Sequence, residues 1–237
     1  FPADLDATAI ESIAPDGSTR HYSWAELDQA SARIANLLDA HGLEPGARVA
    51  VQVEKSVEAL ALYLATLRAG LVFLPLNTAY RSSEIEYFLQ DAEPAVVVCT
   101  PAAFSWVSRI AFQAGTQAVY TLGDDQSGSL LERAAHHAGT HTPAPCGADA
   151  LAAIVYTSGT TGRSKGAMLT HGNLLANAVT LKDYWGWQQG DVLIHALPIF
   201  HVHGLFVAIH AALLGASKML WFAKFDPAAV VAALPRA

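Results

Sequence analysis

Hydrophobic positions along this chain switch repeatedly between a period of two and a period of 3.6, a pattern that predicts strands alternating with helices. Leu27, Ala30, Ile34, Leu37 and Leu38 recur at helical spacing behind the capping-box pair Ser23 and Glu26, and the run stops at Gly42. Arg48 to Val53 alternates about valines and predicts a strand; Val57, Leu60, Ala61, Leu64 and Leu67 then form one helical face closed by Gly70. The unit repeats. Leu71 to Leu76 predicts a short apolar strand, Ser83 and Glu86 cap a helix running through Gln90, and Ala95 to Cys99 is a valine-rich strand. A weaker helix after Pro101, a short strand near Ala118 to Leu122 and a helix from Ser129 to His137 follow. Gly139 to Ala148, rich in Thr, Pro and Gly and without periodicity, marks a seam. Beyond it come a strand ending at Tyr156, a helix from about Asn173 to about Trp185, a strand from Val192 to Ala196, and a last helix with Asp226 as N-cap and Pro227 as first residue. The expected fold is α/β, with largely parallel sheets flanked by helices. The expected division is a first α/β subdomain over 1–145 and a second, incomplete one over 146–237.

Composition narrows the functional classes. With 237 residues and 52% hydrophobic side chains the chain can bury a large core. The formal charge of −7, with no run of Lys or Arg, argues against general affinity for nucleic acid or an anionic membrane. Apolar stretches such as Leu205 to Leu214 fall short of the ~20 residues that cross a bilayer. Cys99 and Cys146 need not pair, no signal peptide is visible, and a reducing cytoplasm is the expected compartment. The chain begins without methionine and stops just past a helix, as a piece of a longer polypeptide would.

The densest chemistry lies at 156–166, YTSGTTGRSKG. Gly159, Gly162 and Gly166 let backbone N–H groups turn toward an anion, Thr157, Ser158, Thr160, Thr161 and Ser164 add donors, and Lys165 adds a mobile positive charge. A plain surface turn has the same composition; a strand running into a glycine loop and then a helix is the usual setting of an anion site. The Walker A order is absent, because Ser164 rather than Gly precedes Lys165 and Gly166 follows it. In LPIFHVHG, His201 and His203 share one face if the segment is extended, which admits either a pocket histidine pair or half of a zinc site. No third ligand of recognisable spacing accompanies them, so no metal site is assigned. His136, His137 and His141 read as a solvated face, and no GxSxG or Ser-His-Asp arrangement is present.

The loop closely resembles the phosphate loop of the adenylate-forming superfamily of acyl-CoA synthetases, peptide-synthetase adenylation domains and luciferases. YSWAEL (Tyr22 to Leu27), LRAGLVFLPLN (Leu67 to Asn77) and LPIFHVHG are similar to that family in the same order, so the likeness runs through nearly the whole chain. Within it, EKSVEALALYLATLRAG, PLNTAYRSSEIEYFLQDAEP and ALPIFHVHGLF most resemble the bacterial malonyl-CoA synthetase group. The resemblance implies the N-terminal part of the large domain, with malonate or methylmalonate, ATP with Mg²⁺ and coenzyme A as substrates and cofactors. Thr157, Ser158, Gly159, Thr160, Thr161, Gly162 and Lys165 would bind the ATP phosphates. His201 and Lys165 would be catalytic, and His201, His203 and Gly204 would bind the acid. It further implies that the residues for adenine, ribose, Mg²⁺ and the second carboxylate, and a small C-terminal domain, lie beyond Ala237, leaving this stretch inactive alone. A synthetase for another short acid, an amino-acid adenylation domain, and a nucleotide- or partner-binding module without turnover remain open alternatives.

Overall fold

The computed structural model describes residues 2–14, 17–157 and 163–237. In chain order the elements are β1 (Thr8–Ile13), β2 (Thr19–Ser23), α1 (Trp24–Asp39), β3 (Arg48–Gln52), α2 (Val57–Arg68), β4 (Val72–Pro75), α3 (Ser82–Ala92) and β5 (Val96–Cys99). A 3-10 turn leads into α4 (Phe104–Gln113), followed by β6 (Ala118–Thr121), α5 (Ser129–Ala134), β7 (Leu151–Thr157), β8 (Lys165–Thr170), α6 (His171–Tyr184) and β9 (Val192–His195). A π-helix (His203–Ile209) runs into α7 (His210–Gly215), then β10 (Lys218–Phe222) and α8 (Pro227–Ala233).

The strands form two sheets. One has six strands in the order β6-β5-β3-β4-β7-β8, parallel except for the antiparallel β7–β8 pair. Its inner strands β3, β4 and β5 are buried almost throughout because helices cover both faces, as a parallel sheet requires. The apolar faces of α1 and α2 share one core with Val49, Val51 and Phe73. Ile85, Phe88 and Leu89 of α3 and Val107 and Ile110 of α4 pack with Ala50, Leu74 and Val97 on the other side. The second sheet, β2-β1-β10-β9, is parallel between β1, β10 and β9, with β2 antiparallel at its edge. Alternation along β10 sends Met219 and Trp221 into the main core, and Leu220 and Phe222 into a small cluster with Ala233 of α8. Both sheets draw strands from either side of the 139–148 segment.

Most expected elements are present, with instructive differences. Ser23 caps α1 and exchanges its capping-box bonds with Glu26 as expected. The next helix starts two residues earlier than Ser83 and Glu86 suggest: Arg81 is the N-cap and Glu84 accepts its backbone N–H at 2.8 Å, so the box is set two residues back. Strands β1, β2, β8 and β10 carry no pattern that the sequence reading resolved. β8 corrects the loop's setting, since the chain leaves the glycine-rich segment into an antiparallel strand, and α6 begins only at His171. His141 also departs from the solvated-face expectation; its side chain is 4% exposed and bonds Asp39 at 2.9 Å. Among the described residues no helix is long and apolar enough to cross a membrane.

Helix α7, which continues the π-helix, is held to α2 by a partly buried polar pair, Tyr63 Oη and His210 Nε2 at 2.7 Å. Burial pushes the His210 imidazole down to about 4 from 6.5, so it is neutral in the fold. Between those two values the unfolded chain takes up a proton that the folded chain refuses, so this contribution is complete above pH 6.5 and is lost as pH falls toward 4. Thermal unfolding should therefore shift downward across that window, and His210→Gln, which keeps an acceptor for Tyr63, should flatten the fall.

Candidate functional site at the carboxyl edge of the strands

The hairpin that carries the glycine-rich segment is braced at both stems. Thr157 at the end of β7 lies opposite Lys165 at the start of β8, and Tyr156 lies opposite Gly166. Thr157 and Lys165 are exposed, and Lys165 has no ion-pair partner among the described residues. The expected phosphate ligands Ser158, Gly159, Thr160, Thr161 and Gly162 lie outside the described residues. Helix α3 grips the outgoing stem through Tyr87, whose hydroxyl donates to the Ser164 carbonyl at 2.7 Å, and Arg163 lies over the Tyr87 ring. It grips the incoming stem through Phe88, whose ring centroid is 4.4 Å from that of Tyr156, and through Asp91, which accepts the Tyr156 hydroxyl at 2.5 Å. Burial and then the Asp91 bond and charge push the Tyr156 phenol up, which keeps it a donor. At Gly166 a Cβ would meet Ile154 Cγ2 at 2.9 Å, so the stem leaves no room for a side chain there.

The histidine segment is a closed turn rather than a strand. β9 ends at His195, and the chain passes through Pro198, Ile199 and Phe200 before the π-helix starts at His203. His201 and His203 are both exposed, with ring centroids 5.3 Å apart and nearly parallel planes. His201 Nδ1 accepts the His203 backbone N–H at 3.3 Å and lies 3.4 Å from His203 Nδ1. The backbone bond makes His201 Nδ1 an acceptor, which in the neutral ring puts the proton on Nε2. Gly204 is buried under the turn, where a Cβ would sit 2.1 Å from the Pro198 carbonyl oxygen. The pair does not share a strand face, and among the described residues no three His, Cys, Asp or Glu side chains gather to hold a metal ion.

The turn and the hairpin share one edge of the molecule. Ile199, Phe200 and Leu205 line a small apolar gap with Val51, Val53, Phe73, Pro75 and Leu76, at and just past the carboxyl ends of β3 and β4. β7 runs parallel to β4, so Thr157 leaves the sheet at that same edge. Next to it opens a cavity of about 230 Å³ where residues after β3 (Val53, Glu54, Lys55), β9 (Ala196, Pro198, Ile199, Phe200) and β10 (Ala223, Lys224, Phe225) converge with Thr78. Lys55 and His195, which the sequence reading did not single out, sit beneath this edge. The Lys55 ammonium donates to the His195 and Phe222 carbonyls at 2.9 and 2.6 Å. The His195 ring stacks on Trp221 and its Nε2 bonds the Gly204 carbonyl at 3.0 Å. Burial, with the Lys55 charge beside it, pushes His195 down to about 3, so the neutral ring is the donor to Gly204. A charged residue two places past an alternating strand was the only signal for Lys55, and a histidine ending an apolar strand the only one for His195.

Polar residues gathered at the carboxyl ends of parallel strands, beside a glycine-rich hairpin, define an α/β chain of the ligand-binding kind. The chain belongs to the AMP-binding enzyme family, whose sequence profile matches residues 3–236. It is similar over its whole length to ATP-bound MatB from Rhodopseudomonas palustris, at 51% identity and a TM-score of 0.93, covering 46% of that chain. A feruloyl-CoA synthase from an Amycolatopsis species is 34% identical over 217 residues, 90% of this chain and 41% of the relative. A mitochondrial malonate–CoA ligase, ACSF3, of Bos taurus is 33% identical over 166 residues, 67% of this chain and 26% of the relative. The expected family and α/β architecture thus hold, and this chain spans less than half the length of these relatives.

Because the Gly204 Cβ position is filled by backbone, which cannot swing aside as a side chain can, Gly204→Ala should destabilise the protein by about 2 kcal/mol or more in chemical denaturation. A loss within experimental error would show that the turn is not held closed.

Proposed function

We propose that this chain is the N-terminal part of an AMP-forming acid–thiol ligase that activates malonate, or methylmalonate, with ATP and coenzyme A. The observation that carries the proposal is the 51% identity to ATP-bound MatB across the full chain, on which the YTSGTTGRSKG hairpin and the LPIFHVHG turn both fall. Malonate–CoA ligases of Bos taurus and Arabidopsis thaliana among the relatives support the acid. The feruloyl-CoA synthase supports a second reading, a ligase for a different carboxylic acid on the same chemistry.

In the first half-reaction a carboxylate oxygen of the acid attacks the α-phosphorus of ATP, and the bond to pyrophosphate breaks to give acyl-AMP. In the second, the thiol sulfur of coenzyme A attacks the acyl carbon, AMP leaves with the bonding electrons, and the thiol proton passes to solvent. Charge grows on the departing pyrophosphate and on the α-phosphoryl oxygens, which preorganised donors stabilise. Lys165, exposed at the hairpin stem without a described ion-pair partner, supplies a mobile cation there, with Thr157 and residues 158–162 as the remaining phosphate ligands. His201 presents Nε2–H toward the acid and α-phosphate, while His203 orients it and Gly204 fixes the turn. Mg²⁺ would neutralise phosphate charge when bound; among the described residues no three His, Cys, Asp or Glu side chains gather to hold it, and the proposal assigns its ligands to the rest of the polypeptide. The same remainder would supply the adenine and ribose contacts and the cation for a second carboxylate, since burying that charge unpaired costs several kcal/mol. A cytoplasmic setting belongs to this proposal.

In the intact polypeptide, Lys165→Ala should slow malonate-dependent pyrophosphate release by about a hundredfold, the scale of losing one transition-state donor. Release at the wild-type rate would remove Lys165 from the mechanism. In a coenzyme A-dependent AMP-release assay malonate should be used in preference to acetate and succinate. Preference for any monocarboxylate would overturn the malonate assignment and leave adenylation standing.

A further inference from the structure

Lys55 occupies a place that neither the hairpin nor the histidine pair explains. It follows β3 of the six-stranded sheet, yet both carbonyls that its ammonium holds, those of His195 and Phe222, end strands of the other sheet. The side chain is buried, its residue only 9% exposed, and the ammonium lies 4.4 Å from the centroid of the Trp221 ring. No carboxylate neutralises it among the described residues. Burying a cation on carbonyl dipoles and an aromatic face alone is costly, and burial pushes this amine down to about 7. A leucine or methionine would fill the same space without that cost.

The contacts continue toward the site without a gap. The residue whose carbonyl Lys55 holds is His195, and the His195 ring, stacked at 4.7 Å on the same Trp221, reaches over to the Gly204 carbonyl. Gly204 in turn abuts the Pro198 carbonyl, closing the loop on which His201 and His203 stand. His195 ends β9 three residues before Pro198, so its backbone and its side chain pin the two ends of the histidine turn at once.

We propose that Lys55 is a positioning residue: by clamping the ends of β9 and β10 onto the end of β3 it sets, through His195 and Gly204, the orientation of the His201–His203 pair against the edge where the hairpin emerges. The role rests on the proposed ligase function for its kinetic consequence, and on the fold alone for its structural one.

The test uses the intact polypeptide with ¹⁵N-labelled histidine. In wild type, long-range ¹H–¹⁵N spectra should report His201 with its proton on Nε2. In Lys55→Met, folded by circular dichroism, that signature should give way to a mixture of tautomers. The KM for the acid should rise about tenfold, as for a group displaced by less than an ångström, with the KM for ATP nearly unchanged. Lys55→Arg, which keeps a cation and N–H donors there, should recover part of the loss. Unchanged histidine spectra, or an unchanged acid KM, in folded Lys55→Met would overturn the proposal. Should Lys55→Met not fold, His195→Gln breaks the next link in the chain of contacts and carries the same two readouts. A wild type that makes no acyl-CoA with any acid would sink the proposed function instead, and the spectra would still decide the role of Lys55.

Discussion

Convergence of two sheets at their carboxyl edges is the constraint from which the rest of this molecule follows. β3 and β4 belong to one sheet and β9 and β10 to the other, yet Ile199 and Phe200, which follow β9, pack against the ends of β3 and β4. Parallel strands leave their carboxyl ends on one side, and the connections that depart there form the crevice in which ligands of open α/β sheets bind. The hairpin after β7 and the histidine turn after β9 therefore reach one region from separate sheets. Sequence distance between them is bridged by packing rather than by any direct bond among the described residues.

Each functional segment is mounted on a stiff support. The hairpin stems are fastened by Tyr87, Phe88 and Asp91 of α3, a helix whose other face is buried in the core. The histidine turn is fastened by the glycine contact at Pro198 and by the bonded, neutral imidazole of His195. Burial of ionisable groups around it is paid for locally: His195 and His210 remain uncharged, each with a hydrogen-bond partner, while Lys55 has two carbonyls and an aromatic face. Lys165 and His201, the groups proposed to carry the chemistry, are exposed at the same edge.

How much of this was legible depended on whether a residue's role was local. Periodicity located α1, α2 and β3 to β5, and short-range chemistry located the Ser23 and Asp226 caps, because their partners lie within three residues. β8 was hidden because KGAMLT shows no apolar alternation; Lys165 to Met168 are all exposed on an edge strand. β1 and β10 pair across more than two hundred residues, a relation that no window of sequence contains. The hairpin and the histidine pair stood out by composition and family likeness, but Tyr87, Lys55 and His195 did not. Their roles are bonds to backbone carbonyls 77, 140 and 9 residues away. Nothing local in the sequence marks Lys55, and only the second sheet closing over it makes it a buried lysine.

The hairpin and the histidine turn are proposed to face one nucleotide and its acid together. A crystal structure of the intact polypeptide with ATP and malonate tests it most directly. The β- and γ-phosphates should lie within hydrogen-bond reach of Lys165 Nζ and the 157–162 backbone, with the imidazole of His201 beside the α-phosphate and the acid. Nucleotide bound elsewhere, or phosphates against the hairpin with His201 turned away from both ligands, would contradict it.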